Sequence, residues 1–258
     1  MSTCVVVATD RDYVAPTEVM LRSLDANYHG SKQLDVYVLV PERMKNWEFS
    51  GTKFNNLNLI ITVPEETSTE EFADATRPIY EGHRISNTSM YRFFIADVAR
   101  DYQKAIYIDS DCIIARDIAP LLEYSLVAPV AAFPETQIEL ADNKTFKDAS
   151  YFNSGVMVLD LKWWRIQRVS RKLMKTASTL TDWTNNTDQD VLNVVFRNNW
   201  TPLPMSFNYL INVYPNIEMK DPLVVHWAGK QKPWLSNCPD NKWKQLWKQY
   251  RMQSPTTT

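Results

Sequence analysis

The stretch Lys104-Ala105-Ile106-Tyr107-Ile108-Asp109-Ser110-Asp111 decides how the rest of the chain reads. Ala105 to Ile108 is a short apolar run of strand character, and acidic residues begin where it stops. Side chains two apart in an extended chain share a face, so Asp109 and Asp111 converge. They stand at the carboxyl end of the expected strand, the place where open α/β sheets bind ligands. Two carboxylates so close repel each other unless a cation or a cationic side chain lies between them. Oxygen ligands suit Mg²⁺ or Mn²⁺, ions that bridge carboxylates to substrate phosphates. A solvated turn or helix-capping acids would explain a D-x-D taken alone.

Outward from this point, short apolar runs alternate with helical patterns. Strands are expected at 4–8, Asp35 to Val40, Leu57 to Val63, Val127 to Phe133 and Gly155 to Leu159. Helices are expected at 16–27, Ser86 to Ala99, 162–180 and 188–197, with a short helix or loop from Thr67 to Ala75. Such alternation implies an α/β fold with a mainly parallel sheet covered on both faces. The expected organisation is one catalytic domain over 1–238, then a basic, aromatic helix and a mobile tail over 239–258.

Composition narrows the function. The 258 residues are 45% hydrophobic and 22% charged, ordinary for a globular domain with a real core. A formal net charge of −2 offers no global field for nucleic acid or an anionic membrane. Cys4, Cys112 and Cys238 form no CxxC pair, which argues against a disulfide framework and fits a reducing compartment. No run of about 18 apolar residues occurs, so the expected location is the cytoplasm or, peripherally, the inner face of a membrane. The five glycines build neither a GxGxxG nor a GxxxxGK[ST], which argues against a dinucleotide site and a P-loop. Bound phosphates would need a different neutralising group.

Further candidates are scattered along the chain. His226, after Val224-Val225, can present a neutral imidazole at a strand end, which would shift a carboxylate site from Mg²⁺ toward Mn²⁺. Lys232, three residues past Gly229, is placed to neutralise a phosphate. Thr187-Asp188-Gln189-Asp190 opens a helix; Thr187 and Asp190 have capping-box spacing, and Asp188 and Gln189 suit sugar hydroxyls. Asn153, in Tyr151-Phe152-Asn153-Ser154-Gly155, offers donor and acceptor alike, though Asn-Ser-Gly is also a plain turn. Asp10, with Tyr13 three residues on, suits the edge and face of a base.

The order of these pieces carries more than any one of them. ATDRDYV at 8–14, SMYRFFIADV at 89–98, KAIYIDSDCIIARDIAPL at 104–121, YFNSGVMVLDLKWWR at 151–165, DQDVLN at 188–193 and VVHWAGKQKPW at 224–234 together resemble glycosyltransferase family 8. That family includes glycogenin and bacterial lipooligosaccharide α-galactosyltransferases. The resemblance runs from about Val5 to Trp234. It implies the GT-A nucleotide-diphospho-sugar transferase fold, a UDP-sugar donor, Mn²⁺ (with Mg²⁺ an alternative) and retention at the anomeric carbon. By motif, Asp109, Asp111 and His226 match the metal ligands. Ala8, Asp10 and Tyr13 match the uracil site, and Arg92 and Asn153 match donor-sugar contacts. Asp188 and Gln189 match the positions facing the reacting sugar. Gly229 and Lys232 match diphosphate contacts on a closing loop, with His83 to Thr88 as the second part of that lid.

The implied chemistry leaves two routes open. Gln189 is an amide and a poor nucleophile, which favours a front-face reaction; a double displacement through Asp188 or Asp190 is the rival. The donor is expected to be UDP-glucose or UDP-galactose, and the acceptor a glycan or glycolipid. Modified DNA or protein as acceptor, a silent glycan-binding relative, and a nucleotidyltransferase are the competing classes; the last usually carries a glycine- and basic-rich phosphate loop that is missing here. No tyrosine-bearing context supports self-glucosylation. Residues 65–85, with Glu65, Glu66, Glu70 and Glu71, have no clear family counterpart and are where acceptor specificity is expected. Finally, Trp243, Leu246, Trp247 and Tyr250 fall at helical spacing among Lys242, Lys244, Lys248 and Arg251. Over 241–251 this is the pattern of a helix at a membrane interface, or of a terminal helix packed on the domain.

Overall fold

The computed structural model describes residues 2–47, 49, 52–70, 72–74, 87–135, 150–181, 184 and 187–252. The expected lid segment His83 to Thr88 lies outside them except for its last two residues. Most of the acceptor region beyond residue 74 and the tail from Ser254 also lie outside. The strands, in chain order, are β1 (Thr3–Ala8), β2 (Leu34–Leu39), β3 (Leu57–Thr62), β4 (Lys104–Ile108), β5 (Cys112–Ile114), β6 (Val130–Pro134), β7 (Phe152–Asp160), β8 (Thr201–Pro202), β9 (Tyr209–Leu210) and β10 (Val224–His226). The helices are α1 (Val14–Ala26), α2 (Ile95–Val98), α3 (Ala119–Leu122), α4 (Leu161–Ile166), α5 (Val169–Thr179), α6 (Asp188–Val195) and α7 (Lys242–Met252).

Seven strands form one sheet in the order β3-β2-β1-β4-β7-β6-β8, and β5-β10-β9 form a second. In the large sheet β7 alone runs against the other strands. The apolar runs show why it is covered on both sides. Cys4 and Val6 of β1 enter one core with Tyr107 of β4 and Met157 of β7. Their neighbours Val5, Val7, Ile106 and Val158 enter the other. Alternate residues of one strand thus feed opposite cores, and neither face can be left polar. α1 and α3 cover the second core; α4, α5, α6 and the segment before β4 cover the first.

Two expected helices wind differently. The 86–99 helix is 3₁₀ over Asn87–Phe94 and α-helical only in α2. Within it the Arg92 Nε donates to the Ser89 carbonyl at 2.7 Å, the acceptor an α-helix would give to Phe93. The 162–180 helix breaks at Arg168, held left-handed at φ 52°. That break costs about 1–3 kcal/mol. It lets α4 seat Trp164 in the core, with its Nε1 on the Pro129 carbonyl at 3.1 Å, while α5 buries Leu173 and Ala177. β7 begins at Phe152, so Asn153 and Ser154 are strand residues and the turn alternative falls away.

The C-terminal helix spends its apolar face on the domain. Trp247 and Tyr250 are buried against Val19, Ile113, Val225 and Trp227. Asn27 Nδ2 donates to the Tyr250 hydroxyl at 2.9 Å. Asn241 caps the start, accepting from Trp243 N and Lys244 N. The side chains left outward are Lys242, Gln245, Lys248, Gln249, Arg251 and Met252. Among the described residues no helix is long and apolar enough to cross a membrane. Trp247→Ala is expected to cost about 3–5 kcal/mol, as for other buried tryptophans. At about 2–4 °C per kcal/mol, calorimetry should show Tm falling by roughly 6–20 °C. A helix facing outward would leave Tm nearly unchanged.

Candidate active site

The acidic triplet lies where β4 ends and the small sheet begins. Asp109 N donates to the Gly155 carbonyl at 2.8 Å, extending the β4–β7 ladder by one residue. Its carboxylate is held from one side: Arg92 Nη2 and the Tyr107 hydroxyl both donate to Oδ1, at 2.8 and 2.7 Å. Tyr107 stands two residues back on the same strand face, and the Arg92 guanidinium lies over its ring at 4.4 Å. Arg92 is buried and nearly saturated. Nη1 donates to Ser154 O and Oγ at 3.0 Å, and Nε also lies 3.1 Å from Asp188 Oδ2. It ties Asp109 to Asp188. Between these carboxylates its own pKa rises despite burial.

Asp111 faces a different set of partners. Burial would raise its carboxyl, but the Lys232 ammonium outweighs that and holds it below the usual carboxylate range, with His226 adding to the pull only when it is protonated. Lys232 donates to Asp111 Oδ2 and, at 2.8 Å, to the Trp227 carbonyl. The same pairing raises the lysine pKa, burial notwithstanding. The other oxygen, Oδ1, is buried with no hydrogen-bond partner, although His226 Nε2 stands 3.2 Å away.

The hydrogen bonds behind the imidazole explain that close but unbonded approach. Gly155 N donates to Asn153 Oδ1 at 3.0 Å, which fixes that amide. Asn208 must then turn Nδ2 toward Asn153 Oδ1, at 2.9 Å, and Oδ1 toward His226 Nδ1, at 3.0 Å. A carbonyl oxygen facing Nδ1 calls for a proton there, so a neutral His226 presents a lone pair at Nε2. Two acceptors then face each other, which is the arrangement a cation resolves. Carboxylate oxygen with imidazole nitrogen suits a borderline divalent ion. Gly155 leaves room for them: a Cβ there would lie 2.2 Å from His226 Cε1 and 2.8 Å from Asp109 Oδ2.

The expected ligand set was Asp109, Asp111 and His226. Among the described residues the compact cluster is Asp111, Cys112 and His226, with ligand atoms within 4.8 Å of one another. Cys112 is the neighbour of Asp111 and the register partner of His226. Burial and the adjacent carboxylates push its thiol well above the ordinary range. Asp109 borders the cluster through Oδ2, while Arg92 and Tyr107 hold its Oδ1.

β7 and α6 build the third wall. Gln189 Oε1 accepts from Ser154 N at 2.9 Å. Asn193 clasps the Phe152 backbone, accepting from its N at 2.8 Å and donating to its carbonyl at 2.9 Å. The capping-box alternative fails: Thr187, at φ 39°, makes no side-chain cap bond and donates instead to Asp188 Oδ1. Burial and Asp109 raise the Asp188 pKa against the pull of Arg92. Asp190 belongs to another network. It is wholly buried, accepting at Oδ1 from Tyr151 and Thr184 hydroxyls and at Oδ2 from Thr184 N.

The fourth wall is the turn after β1. Asp10 caps it, Oδ1 accepting from Asp12 N and Tyr13 N. Ser110 Oγ lies 3.0 Å from the Ala8 carbonyl and 2.8 Å from Thr17 Oγ1, pinning this turn to the acidic triplet. The Tyr13 ring is part exposed and meets Trp234 edge-on at 5.7 Å. Gly229 takes φ +79° with open space around it, so the chain turns there and returns Lys232 to Asp111. Ala8, Asp10, Tyr13, Arg92, Asp109 and Asp111 line one open cleft. Tyr107, Ser110, Thr88 and Ser89 share that lining. Ser110 belongs to the acidic triplet and Thr88 to the expected lid segment, whereas Tyr107 and Ser89 carried no expected role of their own.

Known proteins place this architecture. Glycosyltransferase GlyF of Streptococcus pneumoniae serotype 4 is 25% identical over 97% of the chain, which spans 62% of GlyF's own length. General stress protein A of Bacillus subtilis is 26% identical over 90% of the chain and 87% of that protein. The galactosyltransferase LgtC, solved in complex with donor and acceptor sugar analogs, is 20% identical. It superposes with a TM-score of 0.74 over 100% of this chain and 98% of its own. That likeness is one of fold, the GT-A type, with the seven-stranded sheet at its centre. The family description "Glycosyl transferase family 8" matches residues 4–238, all of the walls just described, and the chain belongs to that family.

Proposed function

We propose that the chain is a retaining, metal-dependent glycosyltransferase that moves glucose or galactose from a UDP-sugar to a hydroxyl of a glycan or glycolipid. The observation that carries it is the facing pair Asp111 Oδ1 and His226 Nε2, two buried atoms 3.2 Å apart, with Asp111 lining the cleft. Asp111 and His226 would hold a divalent ion, Mn²⁺ by ligand type, with Asp109 beside them. When bound, that ion supplies Lewis-acid neutralisation of the donor diphosphate. The names and bound analogs of the relatives support a sugar donor and a sugar acceptor for this chain as well.

The chain's own groups supply the rest. Asp10 has one carboxylate oxygen committed to its turn and the other for a base N–H, while the exposed side of Tyr13 offers a stacking face. Lys232, on the loop after Gly229, exchanges Asp111 for the diphosphate as charge develops there. Gln189 is fixed by Ser154 N and both oxygens of Asp190 are engaged, which leaves no free carboxylate nucleophile in α6. Asp188 is held by Arg92 and Thr187. The front-face route follows: the anomeric C–O bond breaks toward UDP and the acceptor oxygen bonds to that carbon from the same side. Its proton passes to a leaving phosphate oxygen.

UDP release from a panel of UDP-sugars, with Mn²⁺ and with EDTA, tests this. One UDP-hexose should be turned over, only with metal, and NMR of the product should show the donor's anomeric configuration. A chain that binds and hydrolyses none of the panel would overturn the proposal. Lys232→Ala should lower kcat roughly 10²-fold, the usual loss for one transition-state charge donor. Its metal affinity without nucleotide should hold or improve, because the competing ammonium is gone from Asp111.

A further inference from the structure

We propose that Asn208 is a positioning residue that sets two amide and imidazole orientations at once: the tautomer of His226 and the presented face of Asn153. This rests on the metal-site reading above. Asn208 follows the 3₁₀ turn Met205–Phe207 and is wholly buried just before β9. It stands between a residue expected to ligate metal and one expected to touch the donor sugar.

The hydrogen bonds have one consistent direction. The Gly155 N–H can only donate, so Asn153 receives it at Oδ1. Asn208 supplies the second donor to that same oxygen. Asn153 therefore has both lone pairs of its amide oxygen used and shows only N–H groups to a sugar. On its other side Asn208 offers its oxygen to His226 Nδ1. A neutral imidazole without such a partner prefers its proton on Nε2, the nitrogen that faces Asp111. Partners behind a ligating histidine fix its tautomer and raise its basicity, and losing them costs about 10–100-fold in metal affinity. A single side chain thus couples metal affinity to the way the donor hexose is read: as an acceptor of hydrogen bonds at Asn153.

The test separates the two roles. In the full chain, metal-free and at a pH where imidazole is neutral, ¹⁵N NMR of histidine rings reads the tautomer, with His226 identified by its loss in His226→Gln. Wild type should carry the proton on Nδ1. Asn208→Leu should move it to Nε2 and raise the Mn²⁺ Kd about 10–100-fold. Asn208→Asp keeps an acceptor toward Nδ1 but cannot donate to Asn153. It should keep the Nδ1–H tautomer and Mn²⁺ binding within a few-fold, while UDP-hexose loses its affinity advantage over UDP. An Nε2–H tautomer in wild type, or unchanged Mn²⁺ binding in Asn208→Leu, overturns the histidine role. Should the leucine variant not fold, loss of Mn²⁺ binding in Asn208→Asp does the same. Undiminished hexose preference in Asn208→Asp overturns the Asn153 role. None of the metal readouts needs a sugar or an acceptor, so a chain that binds Mn²⁺ and transfers nothing would count against the proposed function and leave this inference standing.

Discussion

Asp111→Asn is expected to reduce sugar transfer at least about 10³-fold and to lower Tm in metal-free buffer as well. The two halves have separate causes. Losing the carboxylate removes an anionic ligand, and several kcal/mol of metal assistance translates at 1.36 kcal/mol per decade into three decades or more. Stability falls with the ion pair. Asp111 is buried and the Lys232 ammonium keeps its carboxylate ionised, so an amide there gives up that pairing and leaves a largely buried ammonium without its counter-ion. A new donation from the amide to His226 Nε2 offsets part of the loss. Isothermal titration with Mn²⁺ and UDP, alongside calorimetry, checks both halves. An unchanged Tm would mean that the Asp111–Lys232 pair adds nothing to stability, and full activity of this variant in EDTA would remove the metal from the mechanism.

What the sequence showed of this site was what lies close along the chain. Asp109 and Asp111 are legible because an apolar run ends at Ile108, although a turn closed by Cys112 N on the Asp109 carbonyl, and not strand pleating, carries the chain past them. Lys232 and His226 are legible as chemistry near a glycine and at a strand end, but nothing local says that they meet Asp111 across more than a hundred residues. Asn208 was invisible for the same reason. Phe207-Asn208-Tyr209 carries no spacing or turn signal, and its meaning comes from Asn153, 55 positions away, and from His226. Asn193 likewise reads as a polar interruption of a helix until it is seen clasping Phe152.

The misread elements have physical causes of the same kind. Arg92 Nε meets the Ser89 carbonyl while Asp109, Asp188 and Ser154 hold its guanidinium in place, and none of these is visible within 86–99. Arg168 adopts a left-handed turn without glycine or proline to announce it, since the packing of Trp164 and Leu173 outweighs a modest backbone cost. For the C-terminal segment the periodicity was right and its partner undetermined. A stripe of Trp243, Leu246, Trp247 and Tyr250 states that an apolar face exists; membrane and protein cores impose the same stripe. Contacts with Val19, Asn27 and Trp234 are what select the domain.

Gly155→Ala is the second large effect, and it probes the position of His226 without replacing a charged group. The added Cβ would stand 2.2 Å from Cε1 and 2.9 Å from Nδ1 of His226, and 2.8 Å from Asp109 Oδ2. Carbon atoms in contact sit about 3.5–4.0 Å apart, so something must move by more than about 1 Å. The β7 backbone cannot yield easily, because the Gly155 carbonyl accepts from Asp109 N and its N–H serves Asn153. Asp109 is tied by Arg92 and Tyr107. The imidazole is the group that gives, and it swings off both Asn208 and the line to Asp111. A displacement of about 1 Å costs roughly 10²-fold in rate when it affects a reacting geometry, and loss of the Nδ1 partner adds to it through metal affinity. Transfer should fall about 10³-fold and the Mn²⁺ Kd should rise at least about 10²-fold. Overpacking should lower stability by only about 1–3 kcal/mol. Titration with Mn²⁺ and a melting curve give both numbers. Near-normal metal affinity in a folded Gly155→Ala chain would mean that His226 does not need its present position, and that the cation is held by other groups.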